Sequence, residues 1–314
     1  LGRRASVAPD SSNARSMTLT PIAPSMGAVV SGLDLSVPLS EAQAAGIRKA
    51  LQDHHLLCFR GLEMSAEEQV AFSRQIGALE VFPEEDKTKD ENVVYNVANV
   101  SPDGEHMAID DHRVTYQLVN ARWHTDSSYR YIPSYCSIML GIEVLPEDAK
   151  GGETEFSNML MAYDALSPEM KARLEPLFMV HYYEYGRRLY PQLPPVSHHE
   201  RVHVPPTCHP LVRVHPDRDN ARSLFITVNA GNEISGMSLE DGQALHAELQ
   251  EHISRPEFRY SHRWQAGDLV IWDNRVVLHR AAAYDMGKYR RVFRRTTVAG
   301  DGPVLGPFSQ AIQG

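Results

Sequence analysis

The chain has 314 residues, 42% of them hydrophobic, with 20 Gly and 20 Pro, a composition that suits turn-rich globular structure with a core large enough to need no staples. Against 40 Asp and Glu stand 31 Lys and Arg, a formal net charge of -9, which speaks against a general nucleic-acid or acidic-membrane surface. Three scattered cysteines, Cys58, Cys136 and Cys208, form no CxxC pair; they point to neither a disulfide framework nor a thiolate zinc site and fit a reducing, cytoplasmic setting.

Residues 1–16, LGRRASVAPDSSNARS, are polar and without apolar periodicity, and Met17 follows them directly. They read as a leader or cloning remnant, with an organelle-targeting peptide as the minor alternative; 17–314 reads as a single domain. No apolar run is long enough to cross a bilayer. LSEAQAAGIRKALQDH sets Ser40 and Gln43 in capping-box relation and places Ala44, Ile47 and Leu51 on one helical face. HLLCFRGLEM follows as a buried strand and turn. SAEEQVAFSRQIG repeats the box with Ser65 and Glu68 and stops at Gly77. The stretch from Pro83 to Arg122 is charged and weakly patterned, as long binding loops are. SPEMKARLEPL puts Pro168 at the first helical position after Ser167, and SLEDGQALHAELQEHI aligns Leu245, Leu249 and Ile253. The strand candidates are SYCSIMLGIEVL, HPLVRVH, SLFITVNA, FRYSHRWQAGDLVIWDN and RRVFRRTTVAG. They are punctuated by Gly, Pro, Asn and Asp without regular strand-helix alternation, which predicts an antiparallel barrel or sandwich with helices packed outside.

WHTDSSY carries the first chemical signal. Read as a strand, it points His124 and Asp126 to the same side and Thr125 away, and imidazole with carboxylate suits non-haem Fe(II) once a third ligand arrives from elsewhere. The spacing is not unique: His215-Pro216-Asp217 repeats it, but Pro216 and the polar residues around it make that copy a turn. In SHHERVHVPPTCH, His198, His199, His203, Cys208 and His209 gather, yet Pro205 and Pro206 interrupt regular geometry, so a solvated loop is expected rather than a second metal site. Trp272 and Asp273 read as structural residues near the site. In YRRVFRRTT, alternation groups Arg291 with Phe293 and Arg295, and Arg290 with Val292 and Arg294. One pair should face inward, where an arginine is costly unless it meets an anion; alternation does not say which.

With GGETEF, WDNRVVLHRAAAYD and YRRVFRRTTVAGD, the WHTDSSY segment resembles the taurine/2,4-dichlorophenoxyacetate dioxygenase family of Fe(II)/2-oxoglutarate oxygenases, from about Met17 onward and closest to its 2,4-dichlorophenoxyacetate branch. The resemblance implies an α+β, mainly β fold: a double-stranded β-helix (jelly roll) core with flanking helices. It implies His124, Asp126 and His279 as iron ligands. It also implies Thr154 and Arg291 on the carboxylates of 2-oxoglutarate, Arg295 on the acidic group of the substrate, and Asn120 near both organic ligands. The cofactors implied are Fe(II), 2-oxoglutarate and O2; the partner is a small organic acid, an aryloxyalkanoate or related carboxylate, hydroxylated with release of succinate and CO2 and, at an ether carbon, with cleavage. No nucleic-acid or membrane partner is expected, and a homo-oligomer is left open. The alternatives are a sulfonate or sulfate-ester dioxygenase, a non-catalytic acid-binding relative, and a metal-dependent hydrolase or isomerase on a similar barrel.

Overall fold

The computed structural model describes residues 16–81 and 93–309; apart from Ser16, the expected leader lies outside them, as does the first part of the expected long loop. Helix formation follows local chemistry. In α1 (Glu41–His54) the Ser40 hydroxyl accepts the Gln43 amide and the Gln43 side chain accepts the Ser40 amide, and Ala44, Ile47 and Leu51 are buried. The same reciprocal box joins Ser65 and Glu68 at α2 (Ala66–Ile76). Gly77 ends that helix, and the reason is space: its backbone is extended, and a Cβ there would meet Val298 at 2.6 Å. Short helices α3 (His112–Tyr116) and α4 (Met159–Asp164) precede α5 (Pro168–Leu174), which has Pro168 in its first turn behind the Ser167 cap. After α6 (Glu184–Arg188) and α7 (His198–His203) comes α8 (Leu239–Ile253), burying Leu245, Leu249 and Ile253 as its stripe predicts.

Seven strands form the large sheet in the order β1 (Thr18–Pro21), β2 (Ala28–Ser31), β3 (Leu56–Phe59), β13 (Leu269–Asp273), β5 (Cys136–Glu143), β15 (Val292–Val298) and β4 (Tyr95–Ala98). Its pairings are antiparallel except β2 with β3. A three-stranded sheet orders β12 (Arg259–His262), β6 (Thr154–Asn158) and β14 (Val277–Ala281); another orders β11 (Glu233–Ser235), β7 (Phe178–His181) and β8 (Thr207–Pro210), and β9 (Val212–Val214) pairs with β10 (Arg222–Leu224).

The period of two sorts the large sheet into two interfaces. Leu57, Phe59, Ile138, Leu140, Leu269 and Ile271 pack with α1 and α2 through Ile47, Leu51, Phe72 and Ile76. Their alternates Leu56, Cys58, Met139, Val270, Trp272 and Phe293 pack with Phe156 and Val277 of the smaller β12-β6-β14 sheet. Each such side chain contributes about 1.5–3 kcal/mol of burial. The helices therefore cover one face of the large sheet, and the other face is left for the interior where the site lies. No helix of the described residues is long and apolar enough to cross a membrane.

Four expectations change. WHTDSSY is not a strand: His124 makes a single bridge to His279, and Asp126 to Tyr129 form a turn in which Ser127 takes φ 56°. SHHERVHVPPTCH is not a solvated loop: Ser197 and Glu200 cap α7, the two prolines separate it from β8, and His209 is buried. SLFITVNA is strand only to Leu224. Within the expected long loop, residues 93–122 hold β4, α3 and a 3-10 turn, Val119–Ala121.

Candidate metal centre

Two backbone hydrogen bonds join His124 and His279, amide of the first to carbonyl of the second at 3.0 Å and the reverse at 2.7 Å. Residues paired across such a bridge project their side chains to the same side, and the two imidazoles lie with centroids 4.1 Å apart. The turn after His124 brings Asp126 to them: its Oδ1 is 4.0 Å from His124 Nε2 and its Oδ2 3.7 Å from His279 Nε2. One ligand atom from each of the three residues lies within 4.8 Å of the other two, and all three are buried. His124 Nδ1 is 2.7 Å from the Arg122 carbonyl; a carbonyl only accepts, so this nitrogen carries the proton and Nε2 turns its lone pair toward Asp126.

The surroundings hold Asp126 charged and both histidines neutral. Burial works against the Asp126 carboxylate, but Arg295, the two histidines and a hydrogen bond from Ser137 outweigh it, and its pKa falls to about 2. Ser137 Oγ donates to Oδ2 and Arg295 Nη1 to Oδ1, each at 2.6 Å. Burial lowers the pKa of His124 and takes that of His279 well below the ordinary range. Two neutral imidazoles and one carboxylate, with His279 Nδ1 buried and lacking a hydrogen-bond partner, form a donor set that fits a divalent transition metal.

Several residues that sequence reasoning missed hold this arrangement. Asn274 donates to Ser134 at 2.9 Å and Ser137 at 3.0 Å, and its carbonyl accepts from the Thr125 hydroxyl at 2.8 Å, so Thr125 points away from the metal side as expected. Buried Glu80 accepts from Ser127 Oγ at 2.5 Å, fastening the left-handed residue directly after Asp126. The signal for Asn274 stood in VIWDN beside Trp272 and Asp273; Glu80 carried none. Trp272 is fully buried with its ring 4.7 Å from His279, and Asp273 binds Arg275, the structural roles expected of them.

The arginine pairs separate cleanly. Arg290 binds Glu143, and Arg294 binds Gln69 and the Met64 carbonyl; Arg291 and Arg295 face inward on either side of Phe293. Arg291 is buried, stacks 3.9 Å over the Phe293 ring, donates to the Gly152 carbonyl at 3.3 Å and leaves Nε without a partner. Among the described residues no carboxylate is hydrogen-bonded to it, and burial, only partly offset by Tyr284 and Glu153, lowers its pKa to about 10. Gly151 and Gly152 turn the chain beside it with φ near +80°, where a Cβ on Gly151 would lie 1.8 Å from the Ala283 carbonyl. Thr154 follows, its hydroxyl accepting from Trp264 Nε1 at 2.9 Å, and Trp264 shares a small cavity with Arg291. Arg295 and Asn120 line another cavity with His124 and Asp126.

The His-x-Asp copy at 215–217 brings no ligands together: it is a turn, with His215 against Asp273 and Asp217 bound by Arg275. Among the described residues a second compact group does exist, Cys58, His262 and Asp268.

A family model described as "Taurine catabolism dioxygenase TauD, TfdA family" matches residues 18–297. The chain is 36% identical over 287 residues to an alpha-ketoglutarate-dependent 2,4-dichlorophenoxyacetate dioxygenase of Cupriavidus pinatubonensis, covering 90% of this chain and 98% of the relative. It is 33% identical to an alpha-ketoglutarate-dependent sulfate ester dioxygenase of Pseudomonas putida, covering 93% and 92%. Among solved structures, AAD-2 in complex with Mn(II) and N-oxalylglycine superposes with a TM-score of 0.82 at 34% identity, covering 92% of this chain and 99% of that one.

Proposed function

The chain belongs to the TauD, TfdA family of taurine catabolism dioxygenases, and from that premise we propose that it is an Fe(II)- and 2-oxoglutarate-dependent dioxygenase acting on a small organic acid, an aryloxyalkanoate or related carboxylate. We read 17–314 as one oxygenase domain, and the two sheets that meet at Phe156 and Trp272 as the halves of a double-stranded β-helix. The observation that carries the proposal is a buried His-Asp-His set in the same interior as a buried arginine that, among the described residues, donates only to a backbone carbonyl and leaves Nε unpartnered. A hydrolase or isomerase would have no use for that arginine.

His124 Nε2, His279 and Asp126 would hold Fe(II). Loaded with Fe(II), the centre would supply oxidative decarboxylation of 2-oxoglutarate by O2 to succinate and CO2, coupled to hydroxylation of a C–H bond. Arg291 grips the far carboxylate of 2-oxoglutarate in two-point fashion, and Thr154 adds a hydroxyl donor to it. Arg295 neutralises Asp126 from one side and offers its fork to the acid group of the substrate; Asn120 orients that acid from the facing turn. Trp272 and Phe156 close the interior behind His279 and keep water from it.

Substrate-dependent succinate release tests the proposal across aryloxyacetates, simple carboxylates, taurine and alkyl sulfates, supplied with Fe(II) and 2-oxoglutarate. Turnover of the carboxylates that falls in Arg295→Ala is expected. Turnover confined to taurine or sulfate esters would move the substrate to the sulfate-ester side of the family, and 2-oxoglutarate-independent activity would refute the reaction.

A further inference from the structure

We infer that Arg187, which does not line the cavity above the metal ligands, is the residue that sets its aromatic wall and so selects ring-bearing acids. The inference rests on reading that cavity as the substrate site. Four tyrosines face it, Tyr95, Tyr116, Tyr129 and Tyr183, together with Arg295 and His124. Two of them come from separate short elements: Tyr116 ends α3 and Tyr183 enters α6. Neither element is long enough to hold a side chain still by its own backbone.

Arg187 joins them from outside. Its guanidinium lies 5.7 Å from the centre of the Tyr116 ring and 5.2 Å from that of Tyr183, and Nη2 donates to the Tyr183 hydroxyl at 3.1 Å. The same nitrogen meets Glu200 of α7 at 2.7 Å, with both side chains largely buried, at 15% and 6% exposure. One cation thus fixes α3, α6 and α7 relative to each other. Glu200 neutralises it, so Arg187 is placed to position rings and not to bind a substrate anion. Tyr183 passes the order on to Tyr129, whose ring meets it edge-on at 4.8 Å.

A second observation shows how closely α6 is seated. Gly186, the residue before Arg187, lies so near the cavity lining that a Cβ would come within 2.6 Å of Val119 and 2.8 Å of the Asn229 carbonyl, and both residues line the cavity. The Tyr190 hydroxyl then ties the segment after α6 to the Leu118 carbonyl at 3.0 Å. Small displacements of groups that orient a ligand cost large factors in binding, so loosening Arg187 should act on the aryl acid and spare the co-substrate beside Arg291.

The test titrates phenoxyacetate, hexanoate and 2-oxoglutarate into Mn(II)-loaded wild type, Arg187→Met, Arg187→Lys and Gly186→Ala, with KM and kcat measured alongside. Expected are a loss of phenoxyacetate affinity of about tenfold or more in Arg187→Met and Gly186→Ala, a smaller loss for hexanoate, and 2-oxoglutarate within about twofold of wild type. Arg187→Lys, which keeps the cation and its Glu200 partner, should recover most of the affinity, and KM should move more than kcat. Unchanged phenoxyacetate binding in folded Arg187→Met, or equal weakening of 2-oxoglutarate, would overturn the inference. Should that variant not fold, Glu200→Gln loosens the same pair and is judged by the same two outcomes. A wild type that binds 2-oxoglutarate but neither acid would overturn the substrate-site reading and the inference with it, leaving the metal centre standing.

Discussion

Among the described residues lie two buried triads of metal-capable side chains, and they differ in how far their histidines are already engaged. In the Cys58–His262–Asp268 group, His262 has both nitrogens engaged, Nδ1 with the Tyr260 hydroxyl at 2.8 Å and Nε2 with Asp268 at 3.0 Å. The same Asp268 oxygen also accepts from Arg60 at 2.5 Å and from the Gln265 amide at 2.9 Å. Only Asp268 Oδ1 is unspent, beside the Arg60 cation. Burial, helped by nearby Asp268, pushes the Cys58 thiol up to about 12, so no thiolate is on offer. In the His124–Asp126–His279 group the outer nitrogen of His124 is tied to a carbonyl and the inner one is left facing the carboxylate. Residue types are nearly the same in both, and both carboxylates already accept hydrogen bonds; what differs is whether the histidine nitrogens that face the carboxylate are already hydrogen-bonded. The first group reads as a fastener between β12 and β13, the second as a site.

The largest effect expected is at the buried arginine assigned to 2-oxoglutarate. Arg291→Ala should weaken 2-oxoglutarate by about 3–5 kcal/mol, a hundredfold or more, because a buried charge pair loses one partner. Thr154→Val should cost less, about 1.5–3 kcal/mol for one hydrogen bond to a charge. Titration of 2-oxoglutarate into Mn(II)-loaded protein checks the order, and an unchanged affinity in Arg291→Ala would remove Arg291 from the 2-oxoglutarate site.

The fastener should answer to a different variant. Asp268→Ala should lower unfolding free energy by about 1–3 kcal/mol through the stranded His262 donor, with Arg60, more than a third exposed, adding little. Metal affinity should not change. Denaturant unfolding beside Mn(II) titration separates the two, and a loss of metal without a loss of stability would reverse the roles of the groups.

An effect of similar size is expected where the metal turn is fastened. Glu80→Ala releases Ser127, whose left-handed backbone needs an outside hold, and should cost about ten- to a hundredfold in metal affinity, as loss of residues that orient ligands does. Glu80→Gln keeps an acceptor for the Ser127 hydroxyl and should stay near wild type. Equal affinities in all three proteins would show that the turn holds itself.

How much of this was legible in the sequence follows from distance along the chain. The caps of α1 and α2 are written within four residues, and both are present in the fold. The His124 and Asp126 pair is equally local, although a turn at Ser127, not a strand, brings its members together. Alternation grouped Arg291 with Arg295, but which face of β15 is interior depends on where α1 and α2 pack, more than 200 residues earlier, and that no local pattern records. Ser137, Asn274 and Glu80 reach the site from three separate segments and look ordinary in each. Gly77 reads locally as helix punctuation, while the close approach of Val298 is what requires it.

Anaerobic Fe(II) titration of single alanine variants tests the central claim most directly, since it compares all the candidate ligand sets in one measurement. One equivalent per chain should bind to wild type, Cys58→Ala and Asp217→Ala, and binding should be lost in His124→Ala, Asp126→Ala and His279→Ala. Normal iron affinity in Asp126→Ala, with loss in Cys58→Ala or Asp217→Ala, would contradict the account.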